Sequence, residues 1–138
     1  MLKQTQKIIG DNDKFHGDCW ITCIAIILKV DREIFPLWEK EESWDKYYDT
    51  IEQMVYDLGY TYVWYKPNEF MKLTDRGTNP IIVVGKSPRS TEKDSFNHAV
   101  VWTGNEIIDP HPDNTGVLDI QSFDRLIPNE EWYNTNKQ

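Results

Sequence analysis

Cys19, His98 and Asp109 are the residues whose types and order could carry covalent chemistry: a thiol, an imidazole and a carboxylate. Cys19 follows Gly17-Asp18 and opens an apolar run that reaches Val30. At the first turn of a helix the backbone N–H groups are unpaired and the helix dipole places partial positive charge beside the sulfur. Both effects favour the thiolate, which is the nucleophilic form of the side chain. Cys23, one turn further into the same apolar run, reads as core, where free cysteine is common.

His98 opens the segment His98-Ala99-Val100-Val101-Trp102, Gly104-Asn105 offers a tight turn, and Glu106-Ile107-Ile108-Asp109 runs back. A two-residue loop opposes Trp102 to Ile107, Val100 to Asp109 and His98 to His111. His98 and Asp109 then share a face as diagonal neighbours, with Cα atoms about 7–8 Å apart and a carboxylate–imidazole hydrogen bond within reach. Pro110 ends the strand and leaves Asp109 at its tip. A thiol at a helix N-terminus with a histidine and an acid downstream is a nucleophile–base–orienter arrangement. Trp102 sits beside such a site or in the core, and alternation alone does not separate the two.

These residues must be positioned by a helix followed by a sheet. Asp18 is a fitting N-cap, and Trp20, Cys23, Ile24, Ile27 and Leu28 recur at helical spacing. Ile21, Ala25 and Ile26 fill the other faces, so the helix is apolar nearly all round and belongs at the centre of the fold. Asp31 to Pro36 reads as a short helical turn. Ser43 caps a second helix, with Trp44, Tyr47, Tyr48, Ile51, Val55 and Leu58 on one stripe and Gly59 as its stop. The period then changes, and 60–65, 80–85, 96–102 and 106–109 read as strands rich in Val, Ile, Tyr and Trp. Helices first and strands later is the order of an α+β domain, its helices on one side of an antiparallel sheet. A chain of 138 residues is the size of one domain, 1–138.

The two cysteine and histidine segments carry a family resemblance. Gly17-Asp18-Cys19-Trp20 before an apolar helix resembles the active-site cysteine segment of papain-like cysteine peptidases. Asn97-His98-Ala99-Val100-Val101 and Ile108-Asp109-Pro110-His111-Pro112 resemble their downstream histidine and acid strands. The likeness is closer to small single-domain papain-like proteins of bacteria and phages, in which a Gln-Thr pair precedes the cysteine helix and His-Ala-Val-Val precedes Asp-Pro-His-Pro. The resemblance implies a central buried helix carrying the cysteine and packed on an antiparallel sheet. It also implies a cysteine hydrolase, peptidase- or amidase-like, with Cys19 as nucleophile, His98 as base and Asp109 as orienter, acting through an acyl-enzyme with no cofactor. The family places a glutamine six residues before the cysteine as oxyanion donor, and here that position is Asp13, whose ionised carboxylate cannot donate. Gln4, followed by Thr5, is the expected replacement if 10–16 forms an enlarged loop, with Gln6 and Asn12 behind it. The backbone N–H of Cys19 is the second donor.

Two other readings stay open on the sequence: a papain-like binding or inhibitor module with an idle triad, and a Cys-His-Asp acyltransferase, whose families use the same residue order. A zinc site from Cys19, Cys23, His98 and His111 is disfavoured by the i, i+4 cysteine spacing, and Asp94, Asp109, Asp113 and Asp119 are too scattered for a calcium loop. The net charge of −8, with no cluster of Lys and Arg, argues against nucleic acid and anionic membrane surfaces as partners. No stretch of about 18 apolar residues occurs, and residues 1–4 lead into a mixed polar segment. The expectation is a cytoplasmic protein with reduced cysteines, acting on a peptide, protein or other amide. The 86–95 loop and the 38–44 region are the expected walls of its cleft.

Overall fold

The computed structural model describes residues 3–8 and 11–136. Its elements are α1 (Cys19–Leu28), a single 3-10 turn (Arg32–Ile34), α2 (Trp44–Asp57), β1 (Tyr60–Tyr65), α3 (Pro67–Met71), β2 (Ile81–Lys86), β3 (Asn97–Trp102), β4 (Ile107–Ile108), β5 (Leu118–Pro128) and α4 (Asn129–Asn136). The five strands form one antiparallel sheet in the order β1-β5-β2-β3-β4. The architecture is α+β.

α1 is buried over Ile21 to Ile26, on every face that a helix of 3.6 residues per turn presents. Ile24, Ile51 of α2 and Ile82 of β2 are fully buried in the main core, with Ala99 and Val101 of β3. Each such aliphatic side chain contributes roughly 1.5–3 kcal/mol on leaving water. A second cluster, Phe70, Ile81, Val83, Val100 and Phe123, is the counterpart on the alternate residues of β2 and β3. Phe70 of α3 stacks on Phe123 at 4.8 Å between ring centroids.

Ser43 caps α2 as its sequence suggests, accepting from the Lys46 N–H. Asp18 is the N-cap residue of α1, but its side chain makes no capping bond to the helix. Its carboxylate accepts instead from the Lys7 N–H at 2.9 Å and the Ile8 N–H at 2.8 Å, which draws the N-terminal segment onto the start of the helix.

The turn between β3 and β4 has Gly104 at φ +100°, with Thr103 N–H donating to the Glu106 carbonyl across it. Positive φ at the first central residue alone is the type II′ hairpin geometry, and it fixes the expected register of Trp102 opposite Ile107. β5 is the strand that sequence patterning does not show, and the helices α3 and α4 are likewise absent from that pattern. β5 is the second strand from one edge, paired along β1 on one side and β2 on the other. Its pairing with β2 shifts at Gly85, where a Cβ would stand 2.4 Å from the Leu118 carbonyl oxygen, so only glycine permits that approach.

Candidate active site

Cys19 is the first residue of α1 and is half-buried at the wall of a cavity of about 950 Å³. Three consecutive residues of β3, Asn97, His98 and Ala99, line the same cavity. The cavity therefore wraps the start of that strand rather than lying on one face of it. Its other walls include Arg89 from the loop after β2, and Trp38 and Trp44 before and at the start of α2, the two regions expected from the sequence.

His98 is buried, 2% exposed, and its Nε2 lies 2.6 Å from Asp109 Oδ1. The diagonal placement expected from hairpin register is what brings these side chains together. Nδ1 is the ring nitrogen left for the thiol, and Cys19 is near enough to the imidazole to act on its charge. Burial alone would lower the His98 pKa, but hydrogen bonds to Asp109 and Cys19 and their negative charge outweigh it and raise it to about 9. Asp109 is opposed in the same way. Burial pushes its carboxyl up, yet the bonds from His98, the His111 N–H at 2.8 Å and the Gly116 N–H at 2.8 Å hold it below the usual range. The carboxylate thus stays ionised with both oxygens satisfied, and it fixes the ring of His98.

The structure corrects the position of Gln4. Its Nε2 donates to the Val30 carbonyl at 2.7 Å and its Oε1 accepts from the Arg32 N–H at 3.1 Å, both just past the C-terminal end of α1. That lies about a helix length, roughly 15 Å, from Cys19. Gln4 ties the N-terminal segment to the chain that leaves α1 and is not placed as an oxyanion donor. Gln6 occupies the cavity wall instead and is 6% exposed. Its backbone N–H donates to the Pro110 carbonyl at 3.0 Å, while the next two residues bond to Asp18. The Gln6 amide donates once to the Ile8 carbonyl at 2.7 Å, which leaves a second N–H to give, while its Oε1 is buried without a partner. Asn12 folds its side chain back onto the backbone of Lys14 and Phe15, and Asp13 is exposed.

Cys23 is fully buried, and desolvation pushes its thiol well above the ordinary value. Among the described residues no group of three or more His, Cys, Asp or Glu side chains converges as a metal site. Trp102 does not line the cavity and is exposed on β3, beyond the turn-side end of the hairpin core. His111 stands T-shaped to His98 at 6.1 Å and its Nδ1 accepts from the Asp113 N–H.

Asp124, Tyr62 and Trp20 form a chain in the cavity wall that the sequence reading missed. Trp20 Nε1–H donates to the Tyr62 hydroxyl at 2.7 Å, and Tyr62 donates to Asp124 Oδ2. The available signal was an acid on β5 at a position sharing its parity with the core residue Leu126.

Comparison with known protein families, with curated proteins and with solved structures finds no match to this chain.

Proposed function

We propose that the chain is a cysteine hydrolase of papain-like architecture that cleaves an amide or ester through an acyl-enzyme. The observation that carries this reading is that Cys19 and His98 line one cavity, with Cys19 acting on the imidazole's charge, and that His98 is bonded in turn to the buried Asp109 carboxylate. His98 Nδ1 takes the thiol proton, and the sulfur attacks the carbonyl carbon. The oxyanion so formed is held by the Cys19 backbone N–H and the free N–H of Gln6. The C–N or C–O bond breaks as the imidazolium returns its proton to the leaving group. Water, deprotonated by His98, then attacks the thioester, releasing the acid and restoring the thiol.

Gln6 lies thirteen residues before Cys19, and an enlarged loop between them is compatible with a donor in the place the family gives it. The resemblance in the cysteine and histidine segments and the α+β order support the same reading. The test is turnover of a panel of activated esters and anilides, with mass spectrometry of the stalled enzyme. An acyl adduct on Cys19 that is lost in Cys19→Ser and His98→Ala supports hydrolysis. No adduct and no turnover with any of them favours a binding module, and acceleration by added amine over water favours a transferase.

A further inference from the structure

Beyond the thiol the cavity continues along an aromatic wall. Trp20 lies 5.0 Å from Trp44, 5.7 Å from Tyr48 and 5.5 Å from Tyr62 between ring centroids, and all four line the cavity. At this wall stands Asp124, 4% exposed. Tyr62 donates to its Oδ2 and the Ser122 side chain also supports the carboxylate, whereas no hydrogen bond reaches its buried Oδ1. A buried carboxylate oxygen left unpaired is costly, and a folded protein rarely carries one without a use for it.

The charges around the cavity point the same way. Its cations are already matched: Arg89 pairs with Asp113 at 3.0 Å, His98 with Asp109, and His16 with Asp11 at 3.0 Å. Among the described residues no cation pairs with Asp124, nor with Asp45 and Asp49, which also line it. The surplus at the aromatic end is therefore negative. Aromatic faces present the negative part of their quadrupole to a cation, and a nearby carboxylate in a low-dielectric wall adds to the attraction.

We propose that the aromatic end of this cavity is a subsite for a cationic substrate group, an alkylammonium such as a lysine side chain, with Asp124 as its counter-charge. The identification of the bound group as part of a substrate rests on the hydrolase reading; the cation site itself does not. A neutral hydrogen-bond donor would satisfy Asp124 but would leave the carboxylates of Asp45 and Asp49 without a complement.

The test separates binding from chemistry. Tryptophan fluorescence of the Cys19→Ser protein is titrated with Nα-acetyl-lysine methylamide and with Nα-acetyl-norleucine methylamide, which lacks only the ammonium. The lysine compound should bind at least ~10-fold more tightly, and Asp124→Asn should bring the two within ~2-fold. The double variant Asp45→Asn/Asp49→Asn, at the solvent side, should reduce the preference in part, which serves if Asp124→Asn does not fold. Equal affinities, absence of saturable lysine binding, or a preference unchanged in every folded variant would overturn the inference. Iodoacetamide labelling of the wild-type thiol needs no subsite. A protein that prefers lysine but leaves Cys19 unlabelled keeps the cation site and loses the hydrolase reading; a protein labelled at Cys19 without a preference does the reverse.

Discussion

The backbone N–H of Gln6 donates to the carbonyl of Pro110 at 3.0 Å, although 104 positions separate them. Pro110 adjoins Asp109, and the residues after Gln6 bond to Asp18, which adjoins Cys19. One short segment is thereby stitched to both the thiol and the acid, and its side chain is held at the cavity. Gln6→Ala is expected to slow turnover by about 10²–10³ with substrate affinity little changed, as loss of one preorganised donor does. Steady-state kinetics separating kcat from KM decide it. An unchanged kcat would remove Gln6 from the oxyanion site.

Gln4→Ala has the opposite signature. It deprives the Val30 carbonyl and the Arg32 N–H of their partner and should cost about 1–3 kcal/mol of stability, with the rate per folded molecule preserved. Denaturant midpoints alongside active-site titration measure both. Asp13→Ala, at an exposed side chain, should change neither.

Iodoacetamide should modify Cys19 and spare Cys23 in the native protein, because Cys23 has no accessible surface and burial keeps its thiol protonated. His98→Ala should slow Cys19 labelling by about tenfold or more. Peptide mapping after timed quenching reads the two sites separately. Comparable labelling of both thiols would mean that α1 is not the packed centre of the fold.

Cys19→Ser should leave folding nearly intact, since the change in volume is small and the residue is half-buried. Ile24→Ala removes a fully buried side chain of the main core and should cost about 2–5 kcal/mol, while the folded fraction keeps its chemistry. Thermal melts of both variants make the comparison. Unfolding of Cys19→Ser alone would make the thiol structural.

The pH dependence of stability follows from opposite shifts in two places. The raised pKa of His98, about 9, contributes stability that is complete below its unfolded value near 6.5 and is lost as pH rises through about 9. The lowered pKa of Asp109 contributes stability present above about 3.9 and lost as pH falls through its folded value. Asp124 works the other way: burial, larger than the offsetting bonds from Tyr62 and Ser122, raises it to about 6. Its ionisation destabilises the fold above that pH, and the penalty is relieved between about 6 and 4. Asp124→Asn, which keeps an acceptor for Tyr62, should therefore raise the melting temperature at pH 8 and have little effect at pH 4. Melting curves across this range test the sign, and a variant less stable at pH 8 would refute the assignment.

The sequence by itself determined the local elements and the pairings set by short-range geometry. The apolar helix from Cys19, the Ser43 cap of α2, the tight turn at Gly104-Asn105 and the diagonal of His98 with Asp109 all depend on neighbours a few residues apart. Periodicity, capping chemistry and two-residue turns act at that range, so they are legible in a single chain. Only the tertiary structure decided which glutamine lines the cavity. Gln4 and Gln6 differ by two positions and are equally capable as donors, and bonds to Val30 at one end of α1 and Pro110 at the other separate them. β5 stayed hidden for a related reason. Its inward positions include Ser122 and Asp124, which dilute the alternation, and the polar lining that they supply has meaning only once Trp20 and Tyr62 arrive from distant parts of the chain. Contacts between residues forty to one hundred positions apart are fixed by packing, which no local pattern encodes.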